Sequence, residues 1–398
     1  MTEDLINQDF QPIFEQKVPL VRPVLPTFLE LMEETQELLS SGMVTKGRWL
    51  QIFEEAVAQH LGVRNVIAVS SCTTGLMLSY QGLDLTGEVI VPSFTFMATV
   101  SALVWADLRP VFADVERETT NLNPEAVEAL INPRTSAIVA VHNFGNPADN
   151  DALQTLADRH GLKLIFDAAH GFGTRYRGMP VGSQGDVQVF SLSPTKLLIA
   201  GEGGIVATNN DVLAEKIRLG REYGNNGHYD SAFAGINARM PEFNALMGYH
   251  SLLQLEEAAR RRNEIVALYR EQLSYLPGLG FQEVRPGNRS SYKDFSITID
   301  PSTFGVTRDE LAQALALHNI DTRKYYYPPV HRQTAYRKFA GPDELLPNTE
   351  FLALHSLSLP IWSSMDDATV QGICQAIKQT YQSSRSISQD EKALSGSA

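Results

Sequence analysis

Between residues 65 and 209, short runs of β-branched and apolar residues alternate with stretches whose apolar positions recur at helical spacing. The pattern predicts strands at 66–70, 88–91, 110–114, 137–141, 164–167, 187–191 and 205–208, with helices at 73–82, 97–105, 124–130 and 151–160 between them. Apolar strands separated by helices imply a parallel sheet covered on both faces. In such sheets, ligands sit beyond the carboxyl ends of the strands.

From 241 to about 275 the periodicity is that of one long helix with a charged stretch at 256–262, a plausible connection between domains. Beyond it, 294–299 and 320–327 read as strands and 308–318 and 366–383 as helices of a smaller α/β domain. The first thirty residues precede the sheet, and the sequence leaves open which domain they pack on. The end of the chain, rich in Ser and charge, reads as a loose tail. At 398 residues the chain exceeds what one core usually serves. The expected division is an N-terminal segment at 1–30, a large domain at 31–260, a small C-terminal domain at 261–382 and a flexible tail at 383–398.

Composition narrows the chemistry. The net charge is −13, with no dense Lys/Arg cluster to track a phosphate backbone, so a nucleic-acid partner is not expected. The two cysteines, Cys72 and Cys374, offer neither a disulfide framework nor a cysteine-based zinc site, and no metal is expected. No stretch approaches the ~18 apolar residues of a membrane span. The N-terminus lacks a basic start and an apolar targeting core. The expectation is a cytoplasmic protein with no membrane partner.

Chemistry-bearing residues gather at the predicted strand ends. Phe166-Asp-Ala-Ala-His-Gly171 is followed by Ser193-Pro-Thr-Lys196 and Gly201-Glu-Gly-Gly204. Together they place a carboxylate, an imidazole, hydroxyls and one lysine near two strand ends, a set suited to holding pyridoxal 5′-phosphate. A lysine forms the Schiff base, a carboxylate faces the pyridine nitrogen, and hydroxyls and amides hold the phosphate. Burial lowers an amine's pKa, and the neutral amine attacks an aldehyde and later shuttles a proton. Asp167 serves equally well as a helix cap on sequence grounds alone. Ser70-Ser-Cys-Thr-Thr74 runs from a strand into a helix, whose free amides make an anion site. Phe96 ends Val91-Pro-Ser-Phe-Thr-Phe96 and suits either stacking on a planar ring or the core. There is no Walker loop and no G-x-G-x-x-G after a strand, which argues against a dinucleotide enzyme.

With these residues in view, the chain resembles the DegT/DnrJ/EryC1/StrS family of sugar aminotransferases from about Pro19 to Lys378. The likeness is carried by Val18-Pro-Leu-Val-Arg-Pro23, Gly47 to Glu54, Val91-Pro-Ser-Phe-Thr-Phe-Met-Ala-Thr99, Asp167-Ala-Ala-His170, Gly185-Asp186 with Phe190-Ser191, and Pro194-Thr-Lys196. Gly201-Glu-Gly-Gly204, Gly235-Ile-Asn-Ala-Arg-Met240 and Tyr327-Pro-Pro-Val-His331 complete it. The resemblance implies an α/β, aspartate-aminotransferase-like architecture (fold type I). Its large domain carries a mostly parallel seven-stranded sheet, beside a smaller C-terminal α/β domain, in a homodimer with shared active sites. Lys196 would be the Schiff-base lysine and Asp167 the pyridine-nitrogen partner. Phe96 and His170 would flank the ring, and Thr73, Thr74 and Ser191 would hold the phosphate. Asn237 would reach the neighbouring subunit's cofactor, with Ser193, Arg239, Tyr327 and His331 toward the substrate. Three positions depart from the family pattern: Cys72 stands in place of Gly, Ser193 in place of His, and Phe166 in place of an acidic residue.

The function implied is ping-pong transfer, through an internal aldimine on Lys196, of an amino group from L-glutamate to a keto sugar on a nucleoside diphosphate. A dTDP-4-keto-6-deoxyhexose is the acceptor the resemblance suggests. Three alternatives share much of this pattern. An aminotransferase of a cyclitol or other free ketone needs no cationic partner for a diphosphate. A sugar dehydratase of the same fold typically has His in place of the lysine. A non-catalytic regulator would need a basic DNA-binding element, which is not seen.

Overall fold

Alternation of side chains along the strands builds the large domain. In the computed structural model, which describes residues 11–341 and 345–395, α1 (Phe28–Ser41) and α2 (Arg48–Leu61) precede β1 (Asn65–Val69). Then come α3 (Cys72–Gly82), β2 (Glu88–Pro92), α4 (Ala98–Trp105), β3 (Arg109–Ala113), α5 (Pro124–Leu130), β4 (Thr135–Val141), α6 (Asn150–His160) and β5 (Lys163–Asp167). A small hairpin of β6 (Arg175–Tyr176) and β7 (Met179–Pro180) leads to β8 (Val187–Ser191), β9 (Gly204–Thr208) and α7 (Asp211–Gly220). Seven of these strands form one sheet in the order β1-β9-β8-β5-β4-β2-β3. All pairings are parallel except those of β9, which runs against both neighbours. The expected parallel sheet is thus mixed at one strand: residues 192–203 join β8 to β9 with no crossover helix between them, and β9 returns antiparallel. Because β1 and β8 are both antiparallel to β9, their carboxyl ends lie on the same side as that of β5.

Alternate positions along each strand feed different cores. Ile67, Val69, Val89, Val91, Val139, Ile165, Val189 and Val206 point to one face, packed with Leu76, Val100 and Leu103 of α3 and α4 and Leu213 and Ile217 of α7. Ala68, Phe190, Ile205 and Ala207 point to the other, against Trp49, Phe53 and Leu246. Ile90, Ile138, Leu164 and Phe166 share that second face with Val127, Leu153 and Leu156 of α5 and α6. Each fully buried Val, Ile or Phe contributes about 1.5–3 kcal/mol. Caps mark the helix limits: the Asp149 carboxylate accepts from Ala152 N at 3.1 Å, and Gly161 ends α6 in the left-handed region at φ 65°.

The single helix expected from 241 to 275 is two, α8 (Glu242–Leu253) and α9 (Leu255–Leu273). Leu246 and Leu255 belong to one core. Nine residues apart, they would face opposite ways on an unbroken helix at about 100° per residue. The break at Gln254 brings both inward. Within α9, Leu255 and Ala259 pack on the large core, whereas Ile265, Tyr269 and Leu273 pack on a second core.

That second core is built on an antiparallel sheet of β10 (Leu279–Phe281), β11 (Phe295–Ile299) and β12 (Ser356–Leu359). The sheet is joined by α10 (Pro301–Phe304), α11 (Arg308–Leu317) and α13 (Asp367–Ser395). The N-terminal segment also packs here: Ile13, Phe14 and Val18 join this core, and Val18 N donates to Asn319 O at 2.8 Å. The segment read as a tail from 383 is helix as far as Ser395, and its last three residues lie outside the described residues.

No strand forms at 320–327. Ile320 makes an isolated bridge to Val18 and Arg323 one to Ser358. Pro328 and Pro329 then end the pairing, since proline has no N–H for a ladder. From there the chain returns to the large domain. Val330 and Leu346 enter the core under α3 and α4, and α12 (Pro347–His355) sets Leu352 and Ala353 against Phe94, Phe144 and Tyr326. Asp114 accepts from the N–H groups of Asn348 and Thr349 at 2.9 and 2.8 Å, fastening the start of α12 to the end of β3.

Candidate active site

A cavity of about 400 Å³ opens beyond the carboxyl ends of β1, β5 and β8, lined among others by Ser71, Thr73, Asp167, His170, Ser191 and Lys196. Three chain segments meet there because glycine permits it. A Cβ on Gly204 would lie 2.5 Å from Ser71 C and 2.6 Å from Cys72 N, so only glycine lets β9 cross under the start of α3. Lys196 sits in the turn between β8 and β9. That turn is anchored by Leu198, Ile199 and Ala200, all buried, and by Ala200 N donating to Leu192 O at 2.9 Å. The anchor holds the lysine amine in the cavity. Burial, then the nearby Lys293 ammonium, pull its pKa down from 10.5 to about 8, with Asp294, Cys72 and Asp167 opposing.

Asp167 ends β5 and is 5% exposed. It accepts from the Thr99 hydroxyl at 2.7 Å and from Ala169 N at 3.1 Å. It opens no helix, so the helix-cap alternative is set aside. Burial raises its pKa; the bonds from Thr99 and Ala169, then Lys196, draw it back. His170 is buried with Nδ1 lacking a protein partner. Burial, Lys196 and Lys293 hold its pKa well below the usual imidazole value, so it stands neutral at pH 7. The α3 N-terminus is capped by Ser71, whose hydroxyl accepts from Thr74 N at 3.1 Å.

The structure brings together Lys196, Asp167, His170, Phe96, Thr73, Ser191 and Ser193. It does not bring Thr74 there: its hydroxyl turns back to donate to Ser71 O at 2.8 Å. Asn237 is exposed and lies outside this cavity. Arg239 pairs with Glu222 at 3.1 Å instead of facing the cavity. His331 is a buried strut, Nδ1 against the Ser93 hydroxyl at 2.6 Å and Nε2 against Glu350 at 2.8 Å. Tyr327 lines a separate cleft of about 420 Å³ with Arg323, Lys324 and Gln333, which shares Phe96, Tyr325 and Tyr326 with the first cavity.

Sequence reasoning missed Lys293, Asp294, Tyr325, Tyr326 and Glu202, all on the cavity wall, and Thr99 behind Asp167. Adjacent opposite charges opening an apolar strand were the one available signal for Lys293 and Asp294. The tyrosines carried none, because their segment read as a strand.

The donor set fits pyridoxal 5′-phosphate. The amine has its pKa drawn down to about 8, a carboxylate lines the cavity, an imidazole has a buried nitrogen to spare, and hydroxyls stand at a helix N-terminus. A family model described as the DegT/DnrJ/EryC1/StrS aminotransferase family matches residues 29–378. The chain belongs to this family. The spore coat polysaccharide biosynthesis protein SpsC of Bacillus subtilis is 35% identical to it over 365 residues, covering 88% of this chain and 94% of SpsC. A crystal structure of DesI, determined in the presence of its TDP-sugar product, superposes with a TM-score of 0.91 at 37% identity, covering 98% of this chain and all of DesI. DesV of S. venezuelae superposes with a TM-score of 0.85 at 34% identity, covering 92% of this chain and 99% of DesV. The architecture is thus that of the fold type I sugar aminotransferases, and this member of the family is an aminotransferase. Among the described residues no helix is long and apolar enough to cross a membrane.

Proposed function

We propose that the protein is a pyridoxal 5′-phosphate-dependent aminotransferase that moves an amino group from an amino acid, L-glutamate, to a keto sugar on a nucleoside diphosphate, a dTDP-4-keto-6-deoxyhexose. When bound, the cofactor supplies an electron sink for the carbanion at the reacting carbon. Lys196 would hold the cofactor through its aldehyde carbon. When not bonded to the cofactor, its Nζ would move a proton to and from the substrate carbon, and burial lowers the pKa of that amine to about 8. Asp167 holds a proton on the pyridine nitrogen, and Thr99 orients that carboxylate. Phe96 and the neutral His170 flank the ring. Thr73, Ser191 and the amides at the start of α3 hold the phosphate. Asn237, exposed on its own chain, serves the neighbouring subunit of a homodimer. Exposed Phe28, Leu29, Leu39 and Met43 on and just after α1 are apolar surface suited to a partner copy.

The observation that carries the acceptor assignment is the second cleft. Arg323 lies exposed there, its guanidinium donating to Thr322 O at 3.0 Å and making no ion pair with a described residue. Lys324, paired with Asp309 at 2.8 Å, and Tyr327 lie beside it. A cationic, aromatic cleft joined to the cavity suits a nucleoside diphosphate, whereas a free cyclitol has no use for it. The test is an amine-transfer assay with L-glutamate against 3-keto and 4-keto nucleotide sugars and free cyclic ketones. Turnover of a nucleotide sugar is expected; turnover of free ketones alone would replace this reading with the cyclitol one.

A further inference from the structure

Lys293 and Asp294 lie on the cavity wall just before β11, with side chains 7% and 5% exposed. The Lys293 ammonium donates to both carboxylate oxygens of Asp294, at 2.8 and 3.0 Å. Desolvating such a pair does little for fold stability, so its place on the cavity wall asks for another explanation. A third buried charge holds the backbone that carries the pair. Arg262 of α9, 2% exposed, donates from Nη1 to the carbonyls of Tyr292 and Lys293, both at 2.9 Å, and from Nε to the Ser363 hydroxyl at 3.1 Å. The Tyr325 ring lies 5.6 Å from the ammonium. Of the three N–H groups of a lysine, two are used by Asp294, leaving one.

The cations lining the cavity among the described residues are Lys196 and Lys293. Lys196 is assigned to the covalent bond. An amino-acid donor brings an α-carboxylate into the cavity beside its reacting carbon. A nucleotide-sugar acceptor carries its negative charge on the diphosphate, on the far side of the sugar's reacting carbon. Only the donor half-reaction therefore asks for a second cation inside the cavity.

We propose that Lys293 receives the carboxylate of the amino-acid donor through its remaining N–H, with Asp294 fixing the ammonium and Arg262 the backbone that carries it. This rests on the aminotransferase reading above. It divides the site: donor recognition inside the cavity at Lys293, acceptor recognition in the cleft at Arg323.

The test uses the full chain loaded with pyridoxal 5′-phosphate and reads the two half-reactions separately by absorbance. One runs from L-glutamate and the other from a nucleotide amino sugar. Inhibition by maleate, a dicarboxylate without an amine, is measured alongside. Lys293→Met is expected to raise the donor KM and weaken maleate by roughly 10- to 100-fold, the worth of one charge-assisted hydrogen bond. The KM for the nucleotide amino sugar should stay within about twofold, and Lys293→Arg should restore part of the donor affinity. If Lys293→Met lowers stability or cofactor retention, the Lys293→Met, Asp294→Asn double variant removes the orphaned carboxylate and carries the same expectation. An unchanged donor KM and maleate affinity would overturn the proposal. So would equal losses in both half-reactions, or a change confined to the pH at which Lys196 bonds the cofactor. Failure of the aminotransferase reading itself would show earlier, as a wild-type protein that forms no bond at Lys196 or runs neither half-reaction.

Discussion

The Thr99 hydroxyl donates to Oδ2 of Asp167 at 2.7 Å, and its oxygen also lies 3.0 Å from the Thr95 hydroxyl. A residue on α4 thereby aims a carboxylate on β5, with the remaining oxygen bonded to Ala169 N. Asp167→Asn is expected to keep the fold and cost orders of magnitude in turnover, because a neutral amide does not hold the proton that makes the bound ring an electron sink. Near-normal turnover in that variant would remove Asp167 from the chemistry. Thr99→Val, which leaves a buried carboxylate short of a partner, is expected to cost about 1–3 kcal/mol in urea unfolding and to raise the Asp167 pKa further.

The buried Lys196 amine has its pKa lowered from 10.5 to about 8, by burial first and then by Lys293. The folded chain therefore disfavours the protonated amine. Its burial penalty is fully present below about pH 8 and is relieved as pH rises from there toward 10.5. Cofactor-free protein should capture pyridoxal 5′-phosphate at a rate that rises to half-maximum near pH 8, measured by stopped-flow absorbance. A rate still climbing steeply at pH 10 would show an ordinary solvated lysine. Borohydride reduction followed by peptide mass spectrometry should place the adduct on Lys196, and Lys196→Ala should bind the cofactor without covalent attachment.

Glu242, 1% exposed at the start of α8, ties the start of α2 to the large domain. Its carboxylate accepts from Gly47, Trp49 and Leu50 N–H at 2.8, 2.7 and 3.1 Å. Glu242→Ala leaves three buried or half-buried donors without an acceptor and is expected to cost about 3 kcal/mol in chemical denaturation. Glu242→Gln, which keeps one acceptor oxygen, should cost less. Equal midpoints for wild type and Glu242→Ala would show that water replaces the carboxylate there.

Asn237 is exposed and absent from its own chain's cavity wall, although Ala238 O accepts from Ser70 N at 2.8 Å beside the start of α3. Mixing Lys196→Ala with an Asn237→Ala, Arg239→Ala double variant, each inactive alone, should restore activity toward about a quarter of wild type after random exchange if sites are shared across a two-fold interface. Subunit exchange proven by mass spectrometry with no recovery would assign both residues to their own chain.

The sequence alone determined the alternating strands and helices of the large domain, because burial on both faces leaves a local record of apolar runs. Asp167 and Ser191 end strands, and Thr73, Phe96, His170 and Lys196 lie in the turns or helix starts that follow strands, where such folds place their ligands; their separate roles came from the family resemblance. Tertiary structure decided the rest. The strand expected at 320–327 became the cavity wall at Tyr325 and Tyr326, because pairing stops at the prolines and the chain crosses back to the large domain. The helix break at Gln254 and the insertion of β9 between β8 and the distant β1 answer to partners far apart in sequence. Thr74 and His331 carry the right functional groups, but Ser71, Ser93 and Glu350 claim them. The pair Lys293 and Asp294 looks like any surface pair along the chain, and only the fold buries it on the cavity wall near Lys196, with its backbone bonded by Arg262 from some thirty residues earlier. Periodicity records which side of an element is buried; which polar group finds which partner is a long-range matter, and there a single chain leaves little local trace.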